Sequence, residues 1–172
     1  MSDYSTSIDV DGDGTWDEHT VHEQADGSVE LHADMNGDGR VDFIGHDYDA
    51  DGLVDASEYD RNHDGVFETQ MRDTDGDGWQ DEEIADRNGD GAVDLAGTDY
   101  NEDGTLENVV LDNDFNGLID TFVQDTDLDG RQDTIGFDFN EDGNTDAVVQ
   151  HPNVTEYVDP VQYPNVNPLL SN

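Results

Sequence analysis

The sequence predicts an all-β protein, an elongated β-solenoid or roll of 13-residue repeats with little or no helix. An antiparallel β-meander with its loops at both ends is the alternative arrangement. Three observations carry this. A nine-residue frame, DxDxDGxxD, returns at even steps from Asp34 through Asp47, Asp60 and Asp73 to Asp138. The four residues between frames lean towards strand, as in Val109-Val110-Leu111, Thr121-Phe122-Val123 and Ala147-Val148-Val149. No stretch sustains a helical apolar period, and a loop in every repeat leaves no room for one.

The frame is cleanest from Asp73 to Asp81, DTDGDGWQD, and repeats at once from Asp86 to Asp94. Oxygen-bearing side chains on alternate positions, followed by a glycine that permits a sharp turn, form the first half of a calcium loop of the EF-hand type. Ten good copies can be traced, and the candidate ligands are their first, third, fifth and ninth residues. These are Asp9, Asp11, Asp13 and Asp17; Asp34, Asn36, Asp38 and Asp42; Asp47, Asp49, Asp51 and Asp55; Asp60, Asn62, Asp64 and Glu68; and Asp73, Asp75, Asp77 and Asp81. The series continues with Asp86, Asn88, Asp90 and Asp94; Asp99, Asn101, Asp103 and Glu107; Asp112, Asp114, Asn116 and Asp120; Asp125, Asp127, Asp129 and Asp133; and Asp138, Asn140, Asp142 and Asp146. An eleventh copy, His22 to Glu30, keeps Asp26, Gly27 and Glu30 but has His22 and Gln24 in ligand places, and is expected to hold no ion.

A fixed period is read as repeat architecture before anything else. The chain then divides into an N-terminal arm (1–8), an array of eleven frames (9–150) and a tail (151–172) that holds all four prolines. The tail is a disordered extension, a cap over the last open face of the array, or a strand added to another molecule, which would give self-association. A slower four-repeat rhythm is suggested by the likeness of Asp34–Gly39 to Asp86–Gly91. The eighth residue of the frame is mostly apolar (Trp16, Val29, Val41, Val54, Phe67, Val93, Leu106, Ile119), with Gln80, Gln132 and Thr145 the exceptions. In an EF-hand-type loop it pairs two loops through a short β-bridge, and the same is expected here.

The charge limits the function. There are 46 acids against five bases, a formal net charge of −41, and 32 % hydrophobic residues. Without counter-ions this is the composition of a disordered chain. A polyanion with no basic patch does not bind nucleic acid. There is no cysteine, hence no disulfide and no thiolate metal site. No apolar run is long enough to span a bilayer. The opening MSDYSTSIDV lacks the basic and apolar regions of a signal peptide. Export after cleavage, export by another route and an intracellular life all stay open.

Calcium takes oxygen ligands in flexible geometry; magnesium wants a smaller shell, and zinc and copper prefer nitrogen and sulfur. Of the 40 ligand places, six hold asparagine and 34 a carboxylate, so about ten calcium ions are expected. An EF-hand closes its shell with a glutamate at position 12. Here that place holds Gly45, Met71, Ile84, Gly97, Val110, Val123, Gly136 or Val149, and only Glu58 fits. The missing ligand is expected from the first aspartate of the following repeat or from a neighbouring coil. Six histidines (His19, His22, His32, His46, His63, His151) invite a transition-metal reading, particularly the first three, but the oxygen frame favours scattered surface histidines.

The helix-free tandem frame over residues 9–146 resembles the thrombospondin type 3 repeats and is similar to dockerin and other EF-hand-like loops. The resemblance implies calcium binding in an extracellular or cell-surface structural setting. It does not extend to the cysteines of the first or the paired helices of the second. The expected function is a non-enzymatic calcium-stapled structural, adhesion or assembly module; a calcium buffer or mineral-interacting acidic protein is the alternative. No nucleophile set or phosphate loop is present, and the paired carboxylates are absorbed by metal ligation.

Overall fold

A computed structural model of the chain describes residues 8, 10 and 14–150. Asp9, Asp11, Asp13 and the tail 151–172, with its expected docking or self-association, lie outside them. Every regular element described is a strand: β1 (Glu18–Glu23), β2 (Val29–Asp34), β3 (Phe43–Asp47), β4 (Ala56–Tyr59), β5 (Thr69–Arg72), β6 (Glu82–Ala85), β7 (Leu95–Thr98), β8 (Asn108–Leu111), β9 (Thr121–Gln124), β10 (Thr134–Phe137) and β11 (Ala147–Gln150). Two compact units divide between Asp81 and Glu82. In the first, β1 to β5 pair antiparallel in sequence order. In the second, β6 to β11 do the same. Of the two arrangements the period allows, this pairing is the meander: within each unit, chain direction reverses at each frame.

The repeat length explains the strand length. The nine-residue loop takes up most of each repeat and leaves a four-residue strand, as in β5 to β11. Side chains alternate between the faces of a strand. One face of the first unit carries Leu31, Gly45, Ser57 and Met71 in cross-strand register. The corresponding row of the second is Glu83, Gly97, Val109, Val123 and Ile135. The first unit has a small apolar core of Ile8, Val10, Leu31, Ala33 and Phe43, flanked by Met35 and Tyr59, with the Phe43 and Tyr59 rings 5.0 Å apart.

The eighth residues do not bridge loops as expected. The isolated bridge among the described residues joins Ile8 to Asp17. Val54, Leu106 and Thr145 pack over strand glycines instead, while Trp16, Val41 and Val93 are exposed. A Cβ on Gly45 would lie 3.4 Å from Val54, and one on Gly97 only 2.6 Å from Leu106, so these two strand glycines are seats for the eighth residue of the following loop. Thr145 covers Gly136 in the same way, 3.1 Å from where its Cβ would stand. Gln80 and Gln132, the polar exceptions, make hydrogen bonds: Ser57 Oγ donates to Gln80 Oε1 (2.6 Å), and Gln132 Nε2 donates to the Leu106 carbonyl (2.7 Å).

Reversal at each frame places consecutive loops of a unit at opposite ends of its strands. The neighbour of a loop is therefore the loop two frames away. Arg87 donates to the Asp112 carbonyl (3.0 Å) and stacks on Phe115, and Asn116 donates to Glu141 (2.7 Å). His63 Nδ1 lies 3.2 Å from Asp42 Oδ1. Among the described residues no helix is long and apolar enough to cross a membrane.

Candidate metal centres

The frames fold into one loop, repeated. The carboxylate of the first residue accepts a hydrogen bond from the N–H of the sixth-position glycine: Gly39 to Asp34, Gly78 to Asp73 and Gly91 to Asp86 at 2.7 Å, Gly104 to Asp99 at 2.9 Å. The third and fifth side chains each accept from the backbone N–H two residues on, as in Asp38 to Asn36 (2.8 Å) and Trp79 to Asp77 (2.9 Å). The ninth carboxylate reaches back to the N–H of the second residue: Val10 to Asp17, Tyr48 to Asp55, Arg61 to Glu68, Thr74 to Asp81, Arg87 to Asp94, Tyr100 to Glu107 and Phe139 to Asp146, at 2.6–3.0 Å. The loop is thus closed by its own acids, which explains why they recur while the residues between them vary.

The second oxygen of the ninth carboxylate accepts from a side chain in Asp81, Asp120, Asp133 and Asp146, but not in Glu68, Asp94 and Glu107. Asp94 Oδ2 accepts from Arg87 and Asn88, while its Oδ1 is buried with no hydrogen-bond partner. Glu107 Oε2 accepts from Tyr100, and its Oε1 is likewise buried and unpartnered. Glu68 repeats the division, Oε1 to Arg61 and Oε2 unpartnered. Asp94 and Glu107 are 1 % and 0 % exposed. An ionised carboxylate in that position costs on the order of several kcal/mol unless a cation or donor meets it.

Carboxylate oxygens gather to within 4.8 Å of one another in Asp47/Asp49/Asp55, Asp73/Asp75/Asp81, Asp99/Asp103/Glu107 and Asp112/Asp114/Asp120. Oxygens bound to calcium at about 2.3–2.6 Å stand about 5 Å apart across the ion, so these sets fit one ion each. Burial pushes Asp99 and Glu107 up from the usual carboxylate range, and for Glu107 repulsion from Asp99 and Asp103 adds to it. Burial also raises Asp55, with Asp49, Asp47 and Asp51 repelling it and the Tyr48 N–H opposing. A divalent cation held by these carboxylates would favour their ionised forms and so oppose both effects.

The candidate ligands Asp34, Asn36, Asp38 and Asp42; Asp60, Asn62 and Asp64; Asp86, Asn88 and Asp90; Asn101; Asp125, Asp127, Asp129 and Asp133; and Asp138, Asn140 and Asp142 stand at the same places of the frame. The degenerate window forms no such loop. It is a tight hairpin between β1 and β2, closed by Gln24 N–H donating to Ser28 O (2.8 Å). One expectation about the missing twelfth ligand is corrected. Within a unit, the first aspartate of the following repeat stands at the far end of the next strand, so it cannot close the shell. Glu58, the one acidic twelfth residue, lies in β4 with its Oε1 3.9 Å from His46. The loop two frames on is the structural neighbour: Glu141 reaches Asn116, and local desolvation, to which its charge adds, raises the exposed Asp114.

One feature has only a partial signature in the sequence. The fourth frame residue is in the left-handed region in every described loop, as glycine in Gly37, Gly76 and Gly89, and at φ 57–61° in Ala50, His63, Glu102, Phe115, Leu128 and Glu141. The three glycines are the available signal. A left-handed residue with a Cβ costs about 1–2 kcal/mol, partly offset by the flexibility glycine adds to the unfolded chain. Exposed Leu128→Gly is therefore expected to raise thermal stability by about 0.5–1 kcal/mol; a lowered melting temperature would contradict the loop geometry.

Compared with protein-family models, curated proteins and solved structures, the chain matches none.

Proposed function

We propose that the protein is a non-enzymatic, calcium-stapled β-meander that serves as a structural, adhesion or assembly module outside the cell, with about one ion per good frame. The observation that carries this reading is the recurring acid loop, whose ninth carboxylate closes it with one oxygen and, in Asp94 and Glu107, keeps the other buried without a hydrogen-bond partner. A chain of −41 carries no other source of compensating charge on this scale. Weak calcium sites fill where calcium is millimolar, which supports the extracellular setting. A buffer or store is the second reading; it would keep its shape when emptied.

Terbium bound in place of calcium tests one site directly. Trp79 follows Gly78 in the loop closed by Asp73 and Asp81. Excitation of tryptophan is expected to sensitise terbium emission, and Trp79→Phe to remove most of it. Emission that survives Trp79→Phe unchanged would show that the Asp73–Asp81 loop holds no ion. Native mass spectrometry with calcium supplies the count, expected near ten.

A further inference from the structure

The face of the first unit opposite Leu31 and Phe43 carries a cluster that the calcium loops do not use. His22 stands directly across from Glu30, and Glu30 across from His46. In the next row Thr20 faces His32, His32 faces Ile44, and Ile44 faces Glu58. The register thus gathers three of the chain's six histidines, one from each of β1, β2 and β3, around Glu30, with Glu58 Oε1 3.9 Å from His46 Nε2 beside them. His19 alternates to the other face of β1 and does not join them.

The side chains converge. His32 Nε2 is 3.3 Å from Glu30 Oε2, and His46 Nδ1 is 4.0 Å from Glu30 Oε1. The rings of His22 and His32 are 4.6 Å apart, and His22 Nε2 touches Thr20 Oγ1 at 3.1 Å. We propose that His22, Glu30, His32 and His46 form a site for one borderline divalent ion of the zinc, copper(II) and nickel class.

The donor set decides the class of ion. Imidazole nitrogen with one carboxylate suits these metals, whereas calcium takes oxygen alone. Tetrahedral ligands at about 2.0–2.1 Å from zinc lie about 3.4 Å from one another, and the His32–Glu30 pair already has that spacing. The His46–Glu30 contact, at 4.0 Å, is longer. Neutral imidazoles each offer a lone pair, and the rings of His22 and His32, 4.6 Å apart, are close enough to share one cation. All the side chains are reachable from solvent, with His32 and His46 25 % and 19 % exposed, and the negative field of the chain concentrates cations around it.

The test uses the full chain saturated with calcium, so that the oxygen loops are filled. Copper(II) added in equal amount is expected to give an electron paramagnetic resonance spectrum with nitrogen couplings from at least two imidazoles. Zinc titration by calorimetry is expected to show one site tighter than any residual binding. His32→Ala and His46→Ala should each weaken it by roughly tenfold or more, and His22→Ala/His32→Ala should reduce the nitrogen couplings to those of one imidazole at most, while His19→Ala changes neither. A wild-type copper spectrum with oxygen ligation only would overturn the proposal without any variant. So would couplings from two or more imidazoles and an undiminished zinc affinity in a folded His22→Ala/His32→Ala protein, which would place the ion elsewhere, for instance at His151.

Discussion

Removal of calcium by a chelator is expected to abolish the β-sheet circular dichroism and expand the molecule, and readdition of calcium to restore both. The expectation rests on where the acids sit. Asp42, Asp60, Asp94, Glu107, Asp112, Asp125 and Asp138 are all at most 2 % exposed, in a chain with few bases to balance them. Each site filled at about a hundred times its dissociation constant stabilises the fold by about 2.7 kcal/mol. A few such sites equal the whole stability of an ordinary domain, about 5–15 kcal/mol. An unchanged spectrum in chelator would refute the structural reading and favour a buffer. Magnesium at equal concentration is expected to rescue poorly, because it holds its waters and demands a smaller shell.

The second large effect is in the sheet. Gly97→Ala is expected to destabilise the calcium-loaded protein by about 1–3 kcal/mol, the usual cost of overpacking. Its new methyl would stand 2.6 Å from Leu106 Cδ1 and 3.1 Å from the Asn108 carbonyl oxygen. Leu106→Ala vacates the first of these, so in that background the added cost of Gly97→Ala should shrink markedly. Additive penalties in the double variant would mean that Leu106 does not seat on Gly97. The melting temperature of all four proteins, measured in excess calcium, gives the result.

Much of the loop is legible in the residues because the ligand frame is written in side chains. Asp73, Asp75, Asp77 and Asp81 occupy fixed places in a loop that their own carboxylates close, so spacing alone predicts the loop. The strands between frames are legible from runs such as Val109 to Leu111. Chain direction is not. A solenoid and a meander can be built from the same repeat, and what separates them is pairing, Gly97 with Val109 against a parallel partner. The place of the eighth residue is hidden for a related reason: apolarity says that Val54 and Leu106 are covered, not that strand glycines cover them. The left-handed fourth residue is hidden because Leu128 and Phe115 tolerate it at a cost. The histidine cluster needs the register of β1, β2 and β3, which no local pattern supplies.

Since loops such as those of Arg87 and Asn116 lean on the one two frames away, the natural increment of this architecture is a hairpin of two frames. Adding or removing a pair of frames keeps each loop beside a partner of its own edge. Adding or removing a single frame turns everything after it upside down and brings Arg87 or Glu141 against the wrong set of loops. Kindred chains of other lengths are accordingly expected to differ by even numbers of frames, and engineered arrays to tolerate growth by twos.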